Sequence, residues 1–327
     1  MIKWGILGLG KMANQFAKAI SETDNAKLVG IASLNYKRLS FFSEKYQIKN
    51  NYKFNNYEDI LKSADIDAVY ISTLNNSHFN LILKAAEHKK HILCEKPMTM
   101  TYEEAENASI LIKKNKIFFM EAIAYRSHPQ TNSIIKIIND GEIGKIKSIN
   151  SSFGFHVKKI KPESRLFKKL FGGGAILDIG CYPLSFVSLF CNIKSDIIIE
   201  SAKGSFCETG VDDFAEANLL LNDNIKAYVE ISFKKNLENN SIIYGEKGHV
   251  IIPSPWLPEK KSYIEVYKDN RSYKVILDFN KSVYAQQIFN VSNLIINKSI
   301  EGKFPNISLP ESLKISKLLK EWSKRIV

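Results

Sequence analysis

A strand that runs directly into a glycine-rich turn is the feature that most constrains the fold of this chain. The strand-like run at residues 3–7 is followed by Gly8-Leu9-Gly10-Lys11-Met12-Ala13, which opens a helix-patterned stretch. Gly8 permits the tight turn, Gly10 lets the backbone approach a pyrophosphate, and Ala13 allows close helix–strand packing. The N-terminus of the helix also favours phosphate charge. The turn therefore predicts a dinucleotide site that includes Gly8, Gly10, Lys11 and Met12, with a tight turn that binds no ligand as the alternative.

The first third of the chain alternates strand-like and helix-like segments. Apolar runs at 27–32, 68–72, 91–94 and 117–120 are separated by helical patterns. Such alternation builds right-handed βαβ units and a parallel sheet. We therefore predict an α/β Rossmann domain over residues 1–121. Residues 122–327 are predicted to form an α+β domain with a large, mostly antiparallel open sheet, and its C-terminal helix (310–325) is predicted to pack back on the Rossmann domain.

The composition argues against several classes of protein. The formal net charge is +12, but the lysines are dispersed and form no basic run interleaved with aromatic residues, so nucleic-acid binding is not predicted. No window approaches the ~18 apolar residues that a membrane span needs. The four cysteines are scattered without a Cys-x-x-Cys pair, which favours a reducing compartment and predicts a soluble, cytoplasmic protein.

One run of residues has the spacing of a metal site. His88, His91 and Cys94 follow one another at intervals of three. His91 and Cys94 lie on one predicted strand, however, so their side chains point to opposite faces of the sheet. No metal is therefore predicted.

The end of the second predicted strand indicates which dinucleotide is bound. An acidic residue at this position holds the ribose of NAD, whereas this chain has Ser33 there, with Lys37 and Arg38 close behind. A hydroxyl and two cations suit a 2′-phosphate. Ser33 and Arg38 are therefore predicted cofactor residues, and NADP is favoured over NAD. The alternative is that Lys37 and Arg38 are solvated helix residues.

Two further motifs carry groups suited to proton transfer. Glu95-Lys96-Pro97 follows the run at 91–94, at the sheet edge where ligands bind in open α/β folds. In the second motif, Pro183 suits a first helical turn, so we predict a helix that begins near Tyr182, with Asp178 in the preceding turn. A free tyrosine has a pKa near ~10, and a neighbouring ammonium lowers it. Lys96, Tyr182 and Asp178 are the predicted catalytic residues, with an anchoring role in its loop as the alternative for Asp178.

Together these motifs resemble the Gfo/Idh/MocA oxidoreductase family along essentially the whole chain. After the glycine fingerprint, the resemblance rests on Ser72-Thr73-Leu74-Asn75-Asn76-Ser77-His78, Glu95-Lys96-Pro97, Glu121-Ala122, the stretch 172–182, Gly210-Val211-Asp212-Asp213 and Gly245-Glu246-Lys247-Gly248. It implies a nicotinamide held by Asn75, His78, Glu95 and Glu121, with Thr73 and Leu74 in the same loop and Lys96 and Tyr182 catalytic. A tyrosine four residues after the aspartate is similar to the dimeric dihydrodiol dehydrogenase and NADP xylose dehydrogenase branch. Leu74 departs from the family pattern, which usually has proline there.

Three classes of function are compatible with these features. The first is an NAD(P)-dependent dehydrogenase or reductase that moves hydride between the nicotinamide and a CH–OH carbon of a sugar, polyol or vicinal diol. Tyr182 would be its general acid/base, assisted by Lys96. The second is a non-catalytic NAD(P)-binding sensor, disfavoured by the intact Lys96 and Tyr182. The third is an NAD-assisted glycoside hydrolase, disfavoured by the missing acid at Ser33.

Two smaller expectations concern the second predicted domain. The resemblance implies a homodimer or homotetramer that forms through the C-terminal sheet. Asp212-Asp213 is a candidate carboxylate pair, but it stands at the start of a predicted strand. We therefore interpret it as a cap or a turn.

Overall fold

The computed structural model describes residues 1–191, 195–221 and 224–326 of the chain. The chain divides into two compact units. Met1–Ser127 and Lys281–Ser312 form the first unit, and His128–Asn280 and Leu313–Val327 form the second. A turn that the sequence predicts at 222–224 falls mostly outside the described residues.

The first unit contains a six-stranded parallel sheet in the order β3-β2-β1-β4-β5-β6. Its strands are β1 (Ile2–Leu7), β2 (Ala26–Ala32), β3 (Lys53–Phe54), β4 (Ala68–Ile71), β5 (His91–Cys94) and β6 (Phe119–Glu121). Every residue of β4 is buried, as expected for a parallel strand covered on both faces. The strand order reverses between β1 and β4, and ligands of such sheets bind at the carboxyl ends of the strands beside this point. The predicted Rossmann fold is confirmed.

The helices of the first unit differ in how their N-termini are capped. They are α1 (Lys11–Ala19), α2 (Tyr36–Lys45), α3 (Tyr57–Lys62), α4 (Asn75–Glu87), α5 (Tyr102–Asn115) and α9 (Val283–Ile296). Side chains cap four of them, at Asn35, Asn56, Thr101 and Ser282. Such caps satisfy N–H groups that have no partner within the helix. No side chain caps α1 or α4.

The second unit contains an eight-stranded sheet in the order β14-β13-β12-β11-β7-β10-β9-β8. Its strands are β7 (Ile146–Gly154), β8 (Ile198–Phe206), β9 (Asp212–Leu220), β10 (Lys226–Ser232), β11 (Ser241–Gly245), β12 (Gly248–Ile252), β13 (Lys261–Lys268) and β14 (Arg271–Asp278). The β7–β10 pair is parallel and the other neighbouring pairs are antiparallel. This confirms the predicted mostly antiparallel sheet.

Helices cover one face of this second sheet. α6 (Pro129–Asn139), α7 (Ala175–Ile179) and α8 (Cys181–Ser188) belong to the second unit, whereas α10 (Leu309–Arg325) begins in the first unit and ends in the second. α7 and α8 contact β7, β9 and β10. Ala215, Ala217 and Ala227 are buried on these strands, and their small side chains allow the helices to approach.

Length and hydropathy decide whether any of the described helices could span a membrane. No single one of them is long and apolar enough to cross a membrane. Lys169–Ile179 and Cys181–Ser188 reach the required length and composition only as a bent pair. Most residues of α8 are buried within the second unit.

Candidate active site

The glycine-rich turn forms an open cradle between β1 and α1. Gly8 has a φ of +87°, and a Cβ on it would lie 2.7 Å from Thr73 Cγ2. Gly10 is the N-cap of α1, and a Cβ on it would meet no atom within 4 Å. Because no side chain caps α1, its first-turn N–H groups are left for a ligand, and a helix N-terminus favours a phosphate. The cradle fits a dinucleotide.

The tip of β2 is held by its own side chains. Ser33 is only 5% exposed, and its Oγ accepts the Asn35 N–H at 3.1 Å. Asn35 in turn caps α2 by accepting the Arg38 N–H at 3.0 Å. Burial raises the pKa of Tyr57, and the nearby Arg38 guanidinium partly opposes that shift. The hydroxyl of Ser33 thus accepts a hydrogen bond within its own loop.

A cavity of about 310 Å³ lies next to this tip. It is lined by residues from α2, from β3 and the loop after it, and from α3, namely Tyr36, Leu39, Ser40, Lys53, Phe54, Asn55 and Asp59. Lys53 adds a cation to Lys37 and Arg38 in this region, and the sequence pattern did not predict it. Its strand, β3, has only two residues and therefore gives no periodic signal.

Four residues from the sequence prediction cluster around the carboxyl ends of β4 and β5. Asn75 is the first residue of α4 and is buried, and His78 lies one turn further and has no exposed surface. The His78 Nδ1 lies 2.9 Å from the Pro97 carbonyl oxygen. Glu95 Oε1 accepts the Tyr70 hydroxyl. Burial lowers the pKa of His78, and the Lys96 ammonium lowers it further, so this ring is neutral beside a cation at neutral pH.

Glu121, at the end of β6, is a second buried carboxyl beside Glu95. It is 3% exposed, and its Oε1 accepts the Met98 N–H at 2.8 Å. Burial raises its pKa to about 7, against the lowering influence of the Ser312 hydroxyl, the Met98 N–H and the Lys96 ammonium. A carboxyl with this pKa can either accept or donate a hydrogen bond near neutral pH.

The motif that contains Asp178 and Tyr182 lies in the second unit, and its structure differs at one point from the sequence prediction. Asp178 was predicted in a turn, but it lies within the five-residue helix α7. Glycines on both sides of α7 concealed this helix in the sequence. The Asp178 side chain is 5% exposed, and its Oδ1 accepts a hydrogen bond from Arg165 Nη1 at 2.6 Å. Asp178 is therefore paired, and sequence reasoning did not include Arg165, which lies in an irregular loop.

Tyr182 stands in the first turn of α8, as predicted, and aromatic rings surround it. Its ring is edge-on to Phe153, with centroids 5.1 Å apart, and 6.0 Å from the ring of Trp256. Trp256 is 2% exposed, and its Nε1 donates to the Ser152 carbonyl at 2.9 Å. Tyr182 itself is partly exposed. The neighbouring rings thus restrict the orientation of a residue that remains partly accessible to solvent.

The structure thus brings the predicted residues together in two groups. Gly8, Gly10, Asn75, His78, Glu95, Lys96 and Glu121 belong to the first unit, and Asp178 and Tyr182 belong to the second. The predicted cooperation of Lys96 with Tyr182 remains a prediction. Among the described residues, no group of three or more His, Cys, Asp or Glu side chains could hold a metal ion.

Family models match most of the chain. The oxidoreductase family with an NAD-binding Rossmann fold, Gfo/Idh/MocA, matches residues 2–122, and the Gfo/Idh/MocA C-terminal domain matches residues 132–251. The chain belongs to the Gfo/Idh/MocA oxidoreductase family. It is therefore an NAD(P)-binding oxidoreductase, and the predicted family is confirmed.

Curated Gfo/Idh/MocA relatives with similar sequences include trans-1,2-dihydrobenzene-1,2-diol dehydrogenases. The protein from Xenopus tropicalis is 32% identical over 259 residues, which cover 78% of this chain and 77% of that protein. The protein from Mus musculus is 26% identical over 99% of this chain and 97% of its own length.

Solved structures of Gfo/Idh/MocA proteins share the fold over nearly the whole chain. An aldose-aldose oxidoreductase from Caulobacter crescentus has a TM-score of 0.90 at 22% identity, covering 99% of this chain and 97% of its own. The 3-ketoreductase KijD10 from Actinomadura kijaniata, in complex with NADP and TDP-benzene, has a TM-score of 0.88 at 22% identity with the same coverage.

Proposed function

We propose that this protein transfers hydride between NADP and the CH–OH or carbonyl carbon of a sugar, polyol or vicinal diol. The observation that carries the proposal is the open cradle at the N-terminus of α1, where Gly10 leaves space for a pyrophosphate. The nicotinamide, when bound, accepts or supplies the hydride at its C4 carbon. The chain's own residues bind the cofactor, orient it and move the proton.

The groups at the carboxyl ends of β4, β5 and β6 have the chemistry to hold a nicotinamide. Asn75 supplies an amide, and Glu95 and Glu121 supply carboxyl groups. The His78 ring lies between two backbone carbonyl groups, those of Pro97 and Thr73, and in its neutral form it donates to one of them. We assign Lys96 to the cofactor ribose and to the electrostatic support of the reaction, since an ammonium stabilises a nearby phenolate.

Tyr182 is the proposed general acid/base. In oxidation its phenolate oxygen takes the proton of the substrate hydroxyl as the hydride leaves the same carbon, and in reduction its hydroxyl returns a proton to the carbonyl oxygen. The edge-on contact with Phe153 holds the ring and leaves the hydroxyl as the reactive group. Asp178 forms an ion pair with Arg165, so we assign it a positioning role rather than that of a base.

The names of similar proteins support the substrate class and the residue types. Those proteins include diol dehydrogenases, an aldose-aldose oxidoreductase and a levoglucosan dehydrogenase. Solved structures of the 3-ketoreductase KijD10 include variants in which a lysine is replaced by alanine or glutamate and a tyrosine by phenylalanine. A lysine and a tyrosine are the two residue types to which we assign the chemistry.

The preference for NADP rests on the β2 tip and the cavity beside it. The tip carries no carboxylate to bind a ribose 2′-hydroxyl. Arg38 stands in the first turn of α2, directly after the tip, and Lys53 lines the cavity. Arg38→Ala combined with Lys53→Ala should raise the Kd for NADPH by about tenfold or more and leave that for NADH nearly unchanged, since two charge-assisted bonds are lost. Equal weakening of both cofactors would contradict the assignment of the 2′-phosphate to these residues.

We also propose a homo-oligomer formed through the face of the second sheet that α7 and α8 leave uncovered. Tyr244, His249 and Tyr267 form a row of neighbouring rings on paired strands there, with His249 and Tyr267 stacked at 4.5 Å. Ile276, on β14, is 71% exposed. A second copy of the same face would cover these side chains. The four cysteines form no disulfide, which supports a reducing compartment, and we propose the cytoplasm.

The experiment that tests the proposed function is a cofactor titration followed by a substrate screen. NADPH and NADH binding to the purified protein would be measured first, and aldoses and vicinal diols would then be screened by the change in cofactor absorbance. We expect tighter binding of NADPH and turnover of at least one sugar or diol. Tight cofactor binding without turnover on any compound would favour the non-catalytic sensor instead.

A further inference from the structure

A carboxylate from β9 holds the N-terminus of the helix that precedes Tyr182. Asp212 is the first residue of β9, and its Oδ2 accepts the Ile176 N–H at 2.7 Å. The Ile176 N–H belongs to the first turn of α7, which has no capping side chain at its own N-cap, Gly174. The cap therefore comes from a strand 36 residues later in the chain.

The position of Asp212 also explains the last of three consecutive glycines. Gly174 has a φ of +118°, a conformation that side chains rarely adopt. A Cβ on Gly174 would lie 2.3 Å from Asp212 Oδ1, so the carboxylate occupies the space that any side chain would need. The position of the Asp212 carboxylate therefore requires a glycine at 174.

The arrangement costs stability, which indicates that it has a purpose other than folding. Burial raises the pKa of Asp212 to about 6, and the neighbouring Asp213 raises it as well, so at neutral pH the carboxylate is mostly ionised but holds its charge at a cost in folding free energy. Asp213 has its own partner, since its Oδ1 accepts the Ser205 hydroxyl at 2.7 Å. A buried charge that weakens the fold is typical of residues kept for function.

The cap acts on Tyr182 through a short and rigid connection. Only Gly180 separates α7 from α8, and its N–H donates to the carbonyls of Ala175 and Ile176. A Cβ on Gly180 would lie 2.5 Å from the Ile176 oxygen, so the two helices are closely joined. A shift of Ile176 would therefore move Tyr182, which stands in the first turn of α8. The Arg165–Asp178 pair ties down the same short helix from the preceding loop.

We propose that Asp212 is a positioning residue for Tyr182: its carboxylate fixes α7, and through α7 it sets the position of the proton-transferring hydroxyl. This inference rests on the proposed function. Asp212 does not itself touch the reacting atoms, so its loss changes the rate of proton transfer and leaves cofactor binding intact.

The test compares Asp212→Asn with Asp212→Ala. Asparagine keeps an oxygen that accepts the Ile176 N–H, and alanine removes it. We expect Asp212→Ala to lower kcat by about 10²-fold, the cost of a displacement of about 1 Å at a reacting group. Asp212→Asn should restore kcat to within about tenfold of wild type, because a neutral acceptor keeps most of such a bond. The Kd for NADPH should not change in either variant.

Controls separate positioning from general loss of structure. The value of kcat is calculated per mole of protein that binds NADPH, so unfolded protein does not lower it. Asp213→Asn is the matched variant, since it alters the adjacent carboxyl on β9, which bonds Ser205; it should keep the wild-type kcat whatever its stability. Gly174→Ala should lower kcat about as much as Asp212→Ala does. In the double variant, kcat should fall by less than the product of the two single losses, because the carboxylate that would collide with the new Cβ is absent.

Two results would overturn the inference. One is a normalised kcat of Asp212→Ala equal to that of wild type, and the other is an Asp212→Asn variant as slow as Asp212→Ala. Tyr182→Phe is measured in parallel. If Tyr182→Phe is slow while Asp212→Ala is fast, only this inference fails. If Tyr182→Phe retains the full rate, the proposed function, on which this inference rests, is itself contradicted.

Discussion

At the scale of single residues, the first unit keeps a carboxyl group where water cannot reach it. Glu121 is 3% exposed and bonds the Met98 N–H, and burial raises its pKa to about 7. A group whose pKa is higher in the folded state than in the unfolded chain stabilises the fold at low pH. That contribution is complete below the ordinary pKa of 4.5 and disappears as the pH rises through about 7.

The first prediction concerns this pH dependence. Between pH 4.5 and pH 7 the wild type should lose about 3 kcal/mol of unfolding free energy relative to Glu121→Gln. Glutamine keeps an acceptor for Met98 but cannot ionise. Urea unfolding of the cofactor-free proteins across this range measures the difference. Parallel curves for the two proteins would show that Glu121 titrates normally.

At the scale of elements, one buried ion pair joins the end of the parallel sheet to the start of α10. Arg126 is 1% exposed, and its Nη1 and Nη2 bond the two carboxylate oxygens of Glu311 at 2.8 and 3.1 Å. Its Nε donates to the Pro305 carbonyl at 2.6 Å. The two partners are 185 residues apart in the chain, so only the fold brings them together.

The second prediction is the cost of breaking this pair. Glu311→Ala leaves a buried guanidinium without its carboxylate and should lower the unfolding free energy by about 3–5 kcal/mol. The control is Asp140→Ala, which breaks the exposed Lys136–Asp140 pair at the C-terminal end of α6 and should cost less than about 1 kcal/mol. Denaturant unfolding measures both. Similar losses in the two variants would contradict the structural role of the buried pair.

At the scale of the whole molecule, the features that can be predicted from the sequence are those that depend on residues close together in the chain. Gly8, Gly10 and Ala13 identify the cofactor cradle, and alternating apolar runs predict the parallel sheet. Pro183 identifies the first turn of α8 correctly. The contacts that sequence reasoning missed join distant positions: Asp212 with Ile176, and Arg126 with Glu311. No periodicity relates such partners, because their meeting depends on how the strands and helices pack.

The short helix α7 shows the same limit. Its five residues lie between Gly174 and Gly180, a pattern that predicts a turn. Asp212, from another strand, accepts the Ile176 N–H in the first turn of this helix. A local pattern cannot report a cap that comes from elsewhere in the chain.

The third prediction concerns assembly. Ile276→Glu places a charge on the uncovered face of the second sheet, where it should dissociate the proposed oligomer with little effect on stability. Ile110→Glu is the matched control, since Ile110 on α5 is 62% exposed and Ile276 is 71% exposed. Light scattering during size-exclusion chromatography measures the mass. A wild-type monomer, or an Ile276→Glu variant that still assembles, would contradict an interface on this face.

The most direct test of the central claim is the rate of cofactor oxidation by Tyr182→Phe in a single turnover. The substitution keeps the ring that packs against Phe153 and removes only the hydroxyl. With a carbonyl substrate found by the screen, the rate should fall by about 10²–10⁴-fold, the usual contribution of a general acid, while the Kd for NADPH stays the same. An undiminished rate in Tyr182→Phe would show that another group supplies the proton and would contradict the proposed mechanism.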